Sequence, residues 1–512
     1  MTLIRLIVFG AVFQYLIFSP LIVMTPPAHA WGIKGDIDRS RLESPETKVL
    51  SSSLTHYIMG VLYDNFGDIS KAIKEYRKAL SQQGPGSEIY MKLGADYLLL
   101  GDFGEAIEML ESAAGEDPEN IRTYLLMAIV YTAQGEFPQA EAMYGQALKY
   151  EPENIRALTF LSDLYVAQNK LDKASEVYER IIEVEPLNAF AHFNLGIIYS
   201  KIDRMDESEE ELKKAIEIDE NYFEAQMVLG FIYEIAGKQE EAIYQYERII
   251  ELDPLAREAY LRLSQIYYET GQTDKALEQN RVLMQLDKYS PEPYLRNFGM
   301  YAAEENYTKA EETLKEALRN GVSDAPIYMS LGYLSGVQGD HEKASEYYII
   351  ALEKDPGNAT YKFYLAATLD QLGEREEAVA ILEEAVFSGS NIPEVYNYLG
   401  YVYVQDGVNL DKAIELIKKA IELDPDNGAY LDSLGWAYYK KGLLDEALKE
   451  VTRALEYMPD DPTVRGHLGE IYFSMGKVKE AIGEWTESLK MNPEDKTLKQ
   501  RIKDAKQELK KQ

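Results

Sequence analysis

Cysteine is absent from the 512 residues, which excludes disulfides, thiolate metal sites, thiol nucleophiles and any lipid anchor attached through cysteine. Histidine is scarce as well. His29 falls in the first thirty residues, and His56, His192, His341 and His467 are scattered without a second histidine three or four residues on, so no metal site is expected. Positive charge is in short supply: 53 Lys and Arg face 87 Asp and Glu, a net charge of -34. Such a surface repels phosphate backbones and anionic lipid, so no nucleic-acid partner is expected, and basic or apolar protein surfaces remain. Phosphate-binding loops, dinucleotide fingerprints, nucleophile elbows and zinc-protease helices are all missing. The segment Asp424-Pro-Asp426-Asn-Gly428 has the residue types of a calcium loop. Its glycine comes one position early and no twelve-residue loop fits, so it reads as a turn. The expectation is therefore a protein that is not an enzyme, with no catalytic residues, cofactor or metal.

What is present is enough apolar matter to bury, 46% of residues, and enough charge, 27%, to keep long helical faces wet. A chain this long does not form one globular core, and an array is the natural alternative. Residues 1–30 have the pattern of an export signal: Arg5, an apolar stretch over Leu6–Phe18 and Leu21–Met24, then Ala28-His29-Ala30 as a small-x-small cleavage site before Trp31. The alternative is an uncleaved membrane anchor, because the apolar span approaches the ~20 residues that cross a bilayer. Either reading places the remainder outside the cytoplasm, periplasmic or otherwise exported in the first case and anchored to the inner membrane in the second.

From Ser53 the sequence repeats every 34 residues, with starts at 87, 121, 155, 189, 223, 257, 291, 325, 359 and 393, then one 35-residue repeat and further starts at 428 and 462. Position 20 is alanine in twelve of thirteen repeats, Ser208 excepted, and position 8 is glycine, alanine or serine in all but the repeat carrying Phe298. Residues this small let two helices approach closely. Position 11 is tyrosine in eleven repeats and is expected to fill the space that the small residues create. Position 15 is glycine in ten repeats, where a helix must stop in a left-handed turn, and position 32 is proline in eight, where the second helix must end. Each repeat is thus helix, turn, helix, turn.

These residues, at this spacing, resemble the tetratricopeptide repeat at its signature positions. The resemblance implies an all-α fold, a right-handed superhelical solenoid of about 13 helix-turn-helix repeats whose first helices line a concave wall that holds peptides or partner helices. The expected organisation is a signal over 1–30, a linker over 31–52 entering a helix near Thr47, the solenoid over 53–494, and a capping helix over 495–512. In that last helix Leu498, Ile502, Ala505 and Leu509 recur at helical spacing among lysines.

On the family's geometry, positions 2, 5, 9, 12 and 13 project into the groove. Position 5 is apolar in nine repeats, including Tyr57, Met91, Leu125, Phe193 and Phe363, and is lysine in none. That suits apolar or aromatic partner segments, unless position 5 packs between neighbouring repeats instead. The last three repeats place Asn397, Tyr401, Asp432, Trp436, Tyr439, Glu470 and Phe473 on one stretch of wall, aromatic rings with polar surroundings, the composition of a binding hot spot. Around them, Asn397-Tyr-Leu-Gly-Tyr401, Leu431-Asp-Ser-Leu-Gly-Trp436-Ala-Tyr-Tyr439, His467-Leu-Gly-Glu470 and Trp485 resemble a group of Gram-negative envelope proteins of this family that includes a protease-adaptor lipoprotein. The lack of cysteine removes the tether those adaptors use. The resemblance implies an exported scaffold that binds proteins along its groove, an adaptor for an envelope protease or assembly machine, or alternatively a structural part of a pilus or polysaccharide secretion complex.

Overall fold

The computed structural model describes residues 45–82 and 86–511, and every regular element among them is an α-helix. The expected export segment and residues 31–44 of the expected linker lie outside the described residues. Residues 45–52, expected as linker, are helical, because the first helix already begins at Pro45. The described residues divide into two compact units between Ala259 and Tyr260.

In the first unit the helix pairs are α1 (Pro45–Asn65) with α2 (Ile69–Ser81), α3 (Gly86–Leu100) with α4 (Phe103–Glu116), and α5 (Ile121–Gln134) with α6 (Phe137–Tyr150). They continue as α7 (Ile155–Ala167) with α8 (Leu171–Val184), α9 (Ala189–Lys201) with α10 (Met205–Ile218), and α11 (Phe223–Ile235) with α12 (Gln239–Leu252). The unit boundary falls in the first turn of α13 (Arg257–Glu269), which pairs with α14 (Thr273–Leu286). Then come α15 (Glu292–Ala303) with α16 (Tyr307–Arg319), α17 (Ala325–Val337) with α18 (His341–Lys354), and α19 (Ala359–Leu372) with α20 (Arg375–Phe387). The last pairs are α21 (Pro393–Asp406) with α22 (Leu410–Leu423), α23 (Gly428–Lys440) with α24 (Leu444–Tyr457), and α25 (Pro462–Ser474) with α26 (Val478–Met491), followed by α27 (Lys496–Lys511). Among the described residues no helix is long and apolar enough to cross a membrane.

Local chemistry sets the helix ends. Asn154, Asn188 and Asn358 cap α7, α9 and α19, their side chains accepting backbone N–H groups that have no partner inside the helix. First helices end in a left-handed residue, as at Gly135 (φ 80°), and the three repeats without glycine there use Asn169, Asp203 and Glu305 in the same conformation. The extra residue of the eleventh repeat is absorbed in the α21–α22 turn, where Asn409 also takes a positive φ of 49°.

Inside each pair the expected knob is corrected. The residue that fills the space beside position 8 is the large side chain at position 24 on the second helix, not the position-11 tyrosine. A Cβ added to Gly230 would lie 2.7 Å from the Tyr246 ring, and one added to Gly469 would lie 2.3 Å from the Trp485 ring. Tyr76, Leu110, Tyr178, Leu212 and Tyr348 fill the equivalent places, all buried. Burying one such side chain contributes about 1.5–3 kcal/mol. Where position 8 is serine, its hydroxyl donates to the position-20 carbonyl, as Ser264 does to Ala276 at 3.2 Å.

The position-11 tyrosines instead join consecutive repeats. The Tyr165 hydroxyl donates to Glu141 of the preceding repeat at 2.8 Å, while Lys173 binds the same carboxylate at 3.1 Å and lies 5.0 Å from the tyrosine ring centre. Tyr233, Lys238 and Glu209 repeat this clasp. Burial alone would raise the Glu209 pKa, yet its bonds to Lys213 and Lys238 hold it down at about 2.

One pair of core positions breaks the pattern. Position 7 is leucine or methionine in twelve repeats and Asn297 in the eighth; position 24 is a large apolar or aromatic residue in twelve and Asn280 in the seventh. The two asparagines meet, Asn280 Nδ2 donating to Asn297 Oδ1 at 2.7 Å, and both are buried. Asn280 Oδ1 is buried with no hydrogen-bond partner among the described residues, an omission that costs about 1–3 kcal/mol.

The first two repeats hold a different buried polar group. Asp96, 3% exposed, lies beside Asp64, which accepts the Tyr76 hydroxyl. Burial, then the Asp64 charge, pushes Asp96 up to about 8, with Lys92 opposing. A carboxyl whose folded pKa is raised stabilises the fold while protonated. That contribution is complete below the unfolded value of ~3.9 and is lost as pH rises through the folded one.

Two expectations follow from this packing. Gly332→Val must displace the Tyr348 ring, 2.5 Å from its Cβ, and lowers stability by about 1–3 kcal/mol, whereas Gly299→Ala, with open space around it, raises stability by up to about 1 kcal/mol. Urea denaturation of the two variants checks the opposite signs. From about pH 5 to about pH 9 the thermal midpoint of the first unit falls, and Asp96→Asn removes most of that fall; parallel profiles by circular dichroism would contradict the assignment.

Candidate functional site

All seven expected contact residues sit on three successive first helices, Asn397 and Tyr401 on α21, Asp432, Trp436 and Tyr439 on α23, and Glu470 and Phe473 on α25. Asn427 and Asp461 cap α23 and α25 through their side chains, which fixes where each helix begins and so which residues share a face. The structure brings together only part of the set. Trp436 stacks on Tyr439 one turn along, centroids 4.6 Å apart at 15°, and on His467 of the next repeat, 4.0 Å apart at 16°. His467 Nδ1 lies 2.9 Å from both oxygens of Asp432. Ser474 donates to the Tyr439 hydroxyl at 3.3 Å, and Lys440 Nζ lies 5.3 Å from the Trp436 ring centre.

His467 is the member that sequence reasoning passed over. It occupies position 6, opposite position 5 of the preceding repeat, the register in which Phe363 meets Tyr398 edge-on at 5.8 Å two repeats earlier. An aspartate at position 5 followed by a histidine at position 6 of the next repeat was the available signal.

Glu470 and Phe473 serve the end of the array instead. Glu470 pairs with Arg501 of α27, and Phe473 packs on Trp485, 5.5 Å between centroids. Burial raises the Glu470 pKa, with the Arg501 charge opposing. Leu498, Ile502 and Ala505 bury their side chains against Trp485, so α27 covers the last repeat. Tyr401 is exposed. Two polar atoms on this wall, Trp436 Nε1 and Asn397 Oδ1, are buried without a hydrogen-bond partner among the described residues, one a donor and the other an acceptor.

Position 5 is taken up largely by packing between repeats: Met91 and Leu125 are buried and Phe193 and Phe363 half-buried. Exposed apolar groups on the first helices of each unit stand at other positions. Phe231 and Ile235, at positions 9 and 13 of the sixth repeat, are 44% and 62% exposed, and Phe190 at position 2 of the fifth is 50% exposed. Tyr333 and Val337 occupy positions 9 and 13 of the ninth repeat and are likewise exposed. Each pair lies one helical turn apart on one face.

The histidines are engaged in ordinary contacts, His56 with Glu75 and His192 with Glu211, both at 2.6 Å. Among the described residues no three His, Cys, Asp or Glu side chains group so as to hold a metal ion.

Family profiles described as tetratricopeptide repeat match residues 55–83, 97–145, 131–189, 161–223, 236–291, 301–359, 330–391, 365–428 and 433–496. The chain belongs to the tetratricopeptide-repeat family. Its similarity to individual proteins is partial. The human protein O-mannosyl-transferase TMTC1 is 29% identical over 143 residues, 28% of this chain and 16% of that protein. The bovine BBSome complex member BBS4 is 25% identical over 178 residues, 28% of this chain and 34% of that protein. The chain thus spans 16% and 34% of the length of these two relatives, and the transferase name belongs to the first of those proteins. Among solved structures, the APC/C hetero-tetramer Cut9-Hcn1 is 16% identical with a TM-score of 0.42, covering 91% of this chain and 97% of that one. In a tetratricopeptide protein the final pair needs a cap, which α27 supplies.

The cap is open to a direct check. In a background with Trp31 and Trp436 replaced by Phe, the double substitution Leu498→Asp with Ile502→Asp undocks α27 and shifts Trp485 emission to longer wavelength. Unchanged emission would mean that α27 does not cover this ring.

Proposed function

We propose that this tetratricopeptide protein is an exported scaffold that holds partner proteins by apolar or aromatic segments laid along its first-helix wall, serving as an adaptor for an envelope protease or assembly machine. The observation that carries the reading is the exposed rungs at positions 9 and 13: Phe231 with Ile235, and Tyr333 with Val337. Large apolar side chains exposed in pairs on one helix face are recognition elements, since a partner's apolar groups gain by covering them. On the first helices of the second unit, Trp436 Nε1 and Asn397 Oδ1 supply a donor and an acceptor that a partner's backbone would satisfy. Export rests on the pattern of residues 1–30, and the adaptor role on the resemblance of the last three repeats to envelope proteins. The excess of acidic residues, 87 against 53 basic, turns nucleic acid away and favours protein partners.

Cross-linking in the source cells, followed by purification of the full chain and identification of what it carries, tests the proposal. The expected harvest is an envelope protease or its substrates, reduced roughly tenfold in the Phe231→Ser, Ile235→Ser double variant with helicity unchanged. Pilus subunits or a polysaccharide channel in its place would replace the adaptor reading with a structural one, cytosolic proteins alone would remove export, and undiminished capture by the variant would remove the wall.

A further inference from the structure

A cleft of about 790 Å³ opens between the seventh and eighth repeats, on the side of the second helices and away from the wall just described. Its volume falls in the range of small-molecule sites. Arg281 and Met284 of α14 form one side, Lys309, Glu312, Glu316 and Arg319 of α16 the other, and Tyr294, Asn297 and Tyr301 of α15 lie between them. Among the described residues neither Arg281 nor Arg319 joins an ion pair, in a chain whose acidic residues outnumber its basic ones. In the first two repeats the equivalent arginine, Arg77, donates to the equivalent tyrosine, Tyr97, at 2.6 Å; no such bond joins Arg281 to Tyr301 here. Both therefore face the cleft uncommitted to each other.

The middle of the cleft is the asparagine pair that interrupts the apolar core. Asn297 lines it, with Oδ1 already taken by Asn280 Nδ2, so the hydrogens left to offer are those of its own Nδ2. Asn280 Oδ1, fully buried and unpaired among the described residues, marks a site where the fold gives up apolar core contacts for a single amide bond and leaves one acceptor unused. Such local departures from a rule kept by the other repeats belong to functional sites.

The lining decides the ligand. Guanidinium, ammonium and amide donors (Arg281, Arg319, Lys309, Asn297) stand beside carboxylate acceptors (Glu312, Glu316), while the Thr313 hydroxyl donates back to the Lys309 carbonyl at 2.9 Å. A simple anion would meet the glutamates and a simple cation the arginines. A hydroxyl group suits both, donating to a carboxylate and accepting from an amide or guanidinium. The cations exceed the anions by one, three against two, which adds a place for a carboxylate. We infer that the cleft binds a short acidic saccharide, its carboxylate toward Arg281 and Arg319 and its hydroxyls shared between Asn297 and the two glutamates.

Isothermal titration of the full chain with trigalacturonate, and with neutral maltotriose for comparison, tests this. Saturable binding of trigalacturonate at millimolar concentration or below is expected, with maltotriose at least about tenfold weaker. Asn280→Leu with Asn297→Leu replaces both buried partners by the apolar residue types of the other repeats, so no buried amide is left unpaired and the fold is kept, yet it loses about tenfold or more in affinity; Arg281→Gln with Arg319→Gln loses the preference for the acidic sugar. No saturable heat with trigalacturonate, equal binding of the two sugars, or undiminished binding by the double asparagine-to-leucine variant would each overturn the assignment. Because the cleft lies off the first-helix wall, Phe231→Ser with Ile235→Ser leaves sugar binding unchanged.

Discussion

Everything in this chain depends on one close approach, a helix pair brought together by a small residue at position 8 and alanine at position 20, with a large side chain from position 24 laid across the small one. The separation is set by the absence of side-chain atoms: the space that a Cβ would need at Gly332 is already occupied by Tyr348. That contact cannot bury the remaining apolar faces of a pair, so pairs stack, and the tyrosine–lysine–glutamate clasps add directional bonds between neighbours within each unit. The stack must end somewhere polar, and α27 provides that end by burying three apolar residues while leaving Lys496, Lys499, Lys503 and Lys506 exposed.

Because the scaffold is repetitive, function can only reside in departures from the repeat. Three kinds stand out. Positions 9 and 13 carry exposed apolar pairs in the sixth and ninth repeats. The meeting of position 5 with position 6 of the next repeat, a pair of aromatic rings at Phe363–Tyr398, becomes an aspartate–histidine pair roofed by Trp436 in the last two repeats. Core positions 24 and 7 become a hydrogen-bonded asparagine pair beside a cleft in the seventh and eighth.

The architecture was largely legible in the sequence because its determinants are local and recur at fixed spacing. Glycine at position 15 marked the helix ends, and Asn169, Asp203 and Glu305, which break that rule, adopt the same left-handed conformation because the turn requires it. The partner of position 8 was misread. Tyrosine at position 11 is the more regular residue, but regularity does not say which way a side chain points, and position 24 varies among tyrosine, leucine, isoleucine, valine and tryptophan while filling one space. The site was legible only in part. Trp436 and Tyr439 do cluster, but with His467, while Glu470 and Phe473 answer to a capping helix whose docking no repeat pattern encodes. Ile235 could have been found by asking which large apolar residues stand at position 13, where seven of the thirteen repeats place a polar one, and Phe231 by its place one turn before it.

The central claim is that the first-helix wall, through its exposed rungs, is where this protein meets its partners. Placing a photo-activated cross-linking residue in turn at each position 9 and 13, and at outward positions of the second helices as controls, measures this most directly in the intact chain. Adducts concentrated at positions 231, 235, 333 and 337, with none at the controls, are the expected result. Adducts spread evenly over both sets, or found only on the second helices, would contradict it.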